Sequence, residues 1–205
     1  MSQETFKIIQ KLNPKMLETQ IIMQCAPMLS GLKTSNLLIV QQENAEDVFK
    51  IFKKSAIQCV LLALNKKKAT FLVYNPILLN KHLHSNEVLQ LLRSMGHKDC
   101  SLKALINEIS ELYGEYQKSN CKFPHEIGLL LGYPADDVQA YIIHQGQNAL
   151  LTGYWQVYFN PDEKKQIFQS YDFAREKLLS LLSKGIKLDD IIKNFHAAFG
   201  CATVH

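Results

Sequence analysis

Between Cys121 and Gly146 the chain reads Cys-Lys-Phe-Pro-His-Glu-Ile-Gly-Leu-Leu-Leu-Gly-Tyr-Pro-Ala-Asp-Asp-Val-Gln-Ala-Tyr-Ile-Ile-His-Gln-Gly. Pro124 suits the first turn of a helix, where its missing N–H costs nothing, and Glu126 sits well against the positive helix start. Gly132 can take the left-handed conformation that ends this helix. Pro134 then opens a second one, with Asp136 and Asp137 in its first turn and Gly146 near its end. Two short helices joined by Gly132, Tyr133 and Pro134 make a rigid elbow. It is the most locally determined stretch of the sequence, and the remainder has to be arranged around it.

Ahead of the elbow, residues 4–12 and 14–28 carry helical spacing, through Leu17, Ile21, Ile22, Cys25 and Met28 in the second stretch, and Pro14 fits its start. Gly31 breaks the pattern. The apolar run at 36–41 reads as a buried strand, 43–54 as a helix, and 56–64 and 69–75 as a hairpin with a charged tip at Lys66, Lys67 and Lys68. Helical spacing returns at 76–83, 85–95 and 101–118, with Ser85 and Ser101 as caps and Gly96 as a stop. Beyond the elbow, 153–159 alternates large residues like a fourth strand, and helices are expected at 161–182 and 188–199. The order of elements predicts one α+β domain over 1–205, a small mixed sheet of about four strands covered by helices. Its sheet-forming part spans about 30–76, its helical part about 77–148, and a strand with C-terminal helices about 149–205.

The run from Phe123 to Val138, followed by Gly153-Tyr154-Trp155-Gln156-Val157-Tyr158, resembles the signature of the bacterial domain-of-unknown-function family 3793. Residues 29–38, Leu-Ser-Gly-Leu-Lys-Thr-Ser-Asn-Leu-Leu, are similar to that family's N-terminal pattern. The resemblance spans nearly the whole chain and implies a bacterial, cytoplasmic setting, largely among anaerobic Firmicutes. It brings no activity and no catalytic residues with it.

An apolar fraction of 47% with 20% charged residues is ordinary for a globular protein. No apolar run approaches the roughly eighteen residues that a membrane span requires, so no membrane partner is expected. The start of the chain, with an acid near its beginning and no uninterrupted apolar core, does not read as a secretory signal, and a cytoplasmic location is expected. Five scattered cysteines without a Cys-x-x-Cys pair favour reduced thiols over a disulfide framework.

The elbow has the spacing of a DNA-binding helix-turn-helix, but Asp136 and Asp137 at the start of its second helix would repel phosphate, so no nucleic acid is expected. Cys121, His125 and Glu126 offer the minimal parts of a thiol nucleophile and its base, with helix capping and gap filling as the structural alternative. His82 with His84, His97 with Cys100, and Cys121 with His125 are donor pairs at close spacing. None completes a metal motif, and no metal is expected. Cys201 and His205 read as tail. Tyr154, Trp155, Tyr158 and Phe159 are able either to wall a pocket for a flat ligand or to fill a core.

The resulting expectation is a small-ligand-binding or accessory protein, its partner a small molecule or another protein. The candidate pocket comprises Cys121, His125, Glu126, Tyr133, Tyr154 and Trp155, where a helix start, a histidine and aromatic area coincide. A thiol- or metal-dependent enzyme built on Cys121, His125 and Glu126 is the alternative, and a helix-turn-helix protein a third reading that the two aspartates disfavour. Cofactor, catalytic residues and oligomeric state stay open.

Overall fold

The apolar run near 70 becomes the central strand of a three-stranded antiparallel sheet, and its side chains explain why the run is continuous. β3 (Lys68–Tyr74) lies between β1 (Ser35–Gln41) and β2 (Gln58–Leu64). Ser35 stands opposite Tyr74 on one side and Gln58 opposite Tyr74 on the other. Ala69, Phe71 and Val73 point into one core and Leu72 and Tyr74 into another, so the strand runs apolar from Phe71 to Tyr74 instead of alternating. Each large side chain buried in this way contributes about 1.5–3 kcal/mol.

The computed structural model describes residues 12–118 and 122–193. The helix expected at 4–12, except its last residue, lies outside the described residues, as do Cys121 and the tail with Cys201 and His205.

On the Phe71 face pack α1 (Leu17–Leu29), α2 (Ala45–Phe52), α8 (Pro161–Ser183) and the helical residues 188–193. On the Leu72 face pack α3 (Pro76–Leu83), α4 (Asn86–Ser94), α5 (Leu102–Lys118), α6 (Ile127–Leu130) and α7 (Ala135–Ile143). The two cores share β3, which makes a helix–sheet–helix sandwich of the α+β class. Asn75 caps α3 through bonds from the N–H groups of Ile77 and Leu78. The free edge of β1 is covered at Ile39, whose N–H and C=O both bond to the Gln24 side chain of α1 at 2.9 and 3.0 Å.

Three expectations need correction. The sheet is antiparallel throughout, not mixed. The stretch at 153–159 does not join it: β4 (Leu151–Thr152) and β5 (Gln156–Val157) form a separate two-stranded hairpin that turns at Gly153–Trp155. The large residues there alternate because Trp155, Val157 and Tyr158 are buried against α7 and α8, not because a continuous strand pairs with the sheet. α1 begins at Leu17, with Pro14 in the turn before it.

The elbow rests on the start of β1. The Ser35 hydroxyl, fully buried, donates to the Leu130 carbonyl at the end of α6. Gly132 has a φ of 72°, and its N–H bonds to Leu129 O while that of Tyr133 bonds to Gly128 O, the paired bonds of a Schellman stop. A Cβ on Gly132 would lie 2.4 Å from Thr34 Oγ1. Gly132→Ala is therefore expected to cost at least about 2 kcal/mol in a urea titration, from left-handed strain plus overlap. Gly114→Ala in α5 makes the opposite case, since the added Cβ meets only Leu62 O at 3.7 Å. It should gain about 0.5–1 kcal/mol.

Candidate functional site

The elbow and the β4–β5 hairpin meet across a single buried carboxylate. Asp137 lies in the first turn of α7 and is 1% exposed. Its Oδ2 accepts from Trp155 Nε1 at 2.7 Å, and its Oδ1 accepts from the backbone N–H of Tyr158 at 2.8 Å and of Phe159 at 3.2 Å. Three donors and the positive end of α7 compensate the charge that burial would otherwise make costly. A second tie runs beside the first: the Tyr133 ring stacks on Trp155 with centroids 5.3 Å apart, and its hydroxyl donates to Tyr154 O at 3.1 Å.

Between the two elements lies a cavity of about 320 Å³. Leu37 of β1, Ile127 and Leu131 of the elbow and Val138 of α7 make its apolar floor; Tyr133, Gly153, Tyr154, Trp155 and Gln156 make one wall; Phe123, His125 and Tyr141 make the other. Phe123 and Tyr141 are 38% and 36% exposed and form the rim, with the His125 ring between them at 5.9 and 5.6 Å. Gly153 is the closest approach in the hairpin, since a Cβ there would fall 2.3 Å from the Phe168 ring of α8.

Four of the six candidate pocket residues, His125, Tyr133, Tyr154 and Trp155, line this one cavity. Glu126 does not. It turns toward His97, with Oε1 3.6 Å from His97 Nε2, while His97 Nδ1 meets Glu108 Oε2 at 2.9 Å. At 3.6 Å the Glu126 approach is too long for a hydrogen bond, and it brings the elbow against the loop after α4. Cys121 lies outside the described residues. Among the described residues no group of three His, Cys, Asp or Glu side chains is placed to hold a metal ion.

The family model of DUF3793, described as a protein of unknown function, matches residues 21–192. The chain belongs to the DUF3793 family. No curated protein and no solved structure matches it. The matched span of this DUF3793 protein includes the elbow, the hairpin and every described residue of the cavity.

The sequence reading missed Asp137 as an anchor and set it beside Asp136 as a carboxylate facing outward. The structure corrects this: Asp136 is exposed and Asp137 is buried. The signal was present in the period, because Asp137 adjoins Val138 and lies three residues before Ala140, both on the inward face of α7. Phe123, Tyr141 and Gln156 also went unread, since their place on the cavity depends on how the hairpin sits against the elbow.

Phenol chemistry in the wall is suppressed by burial. Tyr133 is pushed up to about 12 by desolvation. Tyr154 is raised further for the same reason, with Arg175 opposing the shift. Both stay protonated at neutral pH and act as donors, Tyr154 to Asp172 Oδ1 at 3.0 Å. Behind Tyr133 is Lys33, 5% exposed, with Nζ 5.0 Å from the ring centroid. Burial lowers its pKa from 10.5 to about 8, with the Cys25 thiol opposing the shift. The buried Cys25 thiol is itself pushed up to about 12 by desolvation.

Two expected outcomes follow from these groups. Asp137→Asn places an NH₂ or loses an acceptor opposite the Trp155 N–H. It should cost about 2 kcal/mol in urea unfolding and alter the near-ultraviolet dichroism of Trp155, the one tryptophan.

Lys33 has a folded pKa below its unfolded value, so its charge opposes folding fully below pH about 8. That penalty fades as the pH rises toward 10.5 and the folded state gives up its proton first. Lys33→Met should thus raise stability at pH 7 by up to about 3 kcal/mol, with the gap to the parent narrowing at pH 10 in parallel urea titrations.

Proposed function

We propose that this DUF3793 chain is a small-ligand-binding or accessory protein of the bacterial cytoplasm that takes a flat, mainly apolar ligand into the cavity between elbow and hairpin. The observation that carries the reading is the cavity itself: about 320 Å³, at the small end of the roughly 300–1,000 Å³ range of ligand pockets. Its floor is aliphatic and its walls are rings, which supplies contact area for a planar molecule. Its rim rings are partly exposed, so the opening faces solvent. The bacterial and cytoplasmic setting rests on the resemblance of the elbow and hairpin motifs to the family.

The polar groups around the cavity support binding over catalysis. Asp137 is committed to three donors, Tyr133 is held protonated by burial, and Glu126 faces His97 instead of pairing with His125. Among the described residues these groups form no acid, base and nucleophile relay.

Trp155 is the sole tryptophan, and its indole N–H, bonded to Asp137, gives a single resonance in a nitrogen-edited proton spectrum. Titration with a library of neutral bicyclic aromatic fragments should shift that resonance in a saturable way. Tyr141→Ala at the rim should weaken the best fragment about threefold to tenfold with little change in melting temperature, the loss of one aromatic contact. A Trp155 resonance that no fragment moves, or a fragment whose affinity ignores both Tyr141→Ala and Phe123→Ala, would sink the assignment.

A further inference from the structure

We propose that the cavity selects an aromatic ligand bearing a positively charged nitrogen and discriminates against the carboxylate analogue of the same frame. This deepens the binding reading above and rests on it.

The cavity's charge is one-sided. Among the described residues that line it, Asp137 is the one acid, His125 is the one basic side chain, and there is no lysine or arginine. An ionised carboxylate offers about four acceptor positions. The Asp137 side chain uses three, all with neutral donors: the Trp155 indole and two backbone N–H groups. No lysine or arginine among the described lining residues balances the charge. The donors and the start of α7 offset part of the carboxylate charge, and in a site walled by low-dielectric side chains the remaining field is screened less than in water.

The walls add to it. Rings present a negative face, and a ligand cation close to tyrosine, tryptophan or phenylalanine gains about 0.5–2 kcal/mol, more when water is excluded. Phe123 and Tyr141 at the rim stand where a ligand would enter. The Gln156 side chain accepts from the Tyr158 hydroxyl through Oε1, so the residue nearest in kind to a switchable polar contact is neutral.

Two cations stand behind the walls and limit the effect. Lys33 lies over Tyr133, and Arg175 lies over Tyr154 while bonded to Asp172 at 3.2 Å. Neither lines the cavity, and Arg175 carries its own counter-ion. Their field opposes a ligand cation from a distance, while Asp137, itself 1% exposed, attracts it through the cavity lining. The preference is accordingly about tenfold and not many hundredfold.

The test uses the full chain and three molecules with one ring system: tryptamine, 3-ethylindole and indole-3-acetate, titrated calorimetrically at pH 7. Tryptamine should bind at least about tenfold more tightly than indole-3-acetate, with 3-ethylindole between them. Because Asp137 also holds the fold together, charge is varied at Gln156 instead. Gln156→Glu should widen the ratio, and Gln156→Lys should narrow or reverse it. Binding of the series with no preference or with the anion ahead, or a ratio that both Gln156 variants leave unmoved, would overturn the charge inference alone. Failure of all three molecules to bind would overturn the cavity reading beneath it, and this inference along with it.

Discussion

A carboxylate taken out of water must find donors, and Asp137 finds them on another part of the chain. Its partners are the Trp155 indole in the hairpin turn and two backbone N–H groups just after β5, some twenty residues on. Losing the acceptor would strand those donors as well as the charge, which is why truncating one side of such a contact costs more than the contact's net worth. The hairpin has only two short strands of its own and is too small to persist without support. The carboxylate, the Tyr133–Trp155 stack and the packing of Trp155 on Phe168 at 4.6 Å give it that support. The cavity exists because these ties hold two irregular pieces at a fixed separation without closing the gap between them.

Beneath the site, the sheet acts as a partition. β3 sends alternate side chains into two cores, and the helices before and after it divide accordingly, α1, α2 and α8 to one face and α3 to α7 to the other. The elbow belongs to the second face, yet it touches β1 through Ser35 and Thr34, at the strand's first residue and just before it. Leu37 then contributes to the cavity floor from the same strand. A third small cluster, Trp155, Val157, Phe168 and Tyr171, links the hairpin to α8, whose C-terminal half packs in the first core. The cavity is thus bordered by elements that are anchored in both cores.

Burial also shapes the chemistry around the cavity. It keeps Tyr133 and Tyr154 protonated and lowers the affinity of Lys33 for its proton. Tyr133 and Tyr154 therefore donate fixed hydrogen bonds and present ring faces beside the cavity. Glu126, next to His125 in sequence, is drawn off by His97 because adjacent residues in a helical turn point about a hundred degrees apart.

Most of the element pattern was legible from residues alone, because local rules govern it. Gly132 stops α6 by taking positive φ, although α7 ends in a left-handed Gln145 one residue before Gly146. The apolar runs near 38, 61 and 71 have the length and residue types of buried strands, and the long helix from Pro161 carries its own spacing. The clustering of aromatic residues in the elbow and hairpin motifs was equally visible. Tertiary structure decided the rest: that the sheet stops at three strands, that the stretch near Trp155 folds back on itself, that Asp137 faces in while Asp136 faces out, and that Glu126 leaves its neighbour for His97. Each of these depends on which donors and ring faces meet across long separations in the chain, and periodicity and propensity, which act over a few residues, carry no information about such meetings.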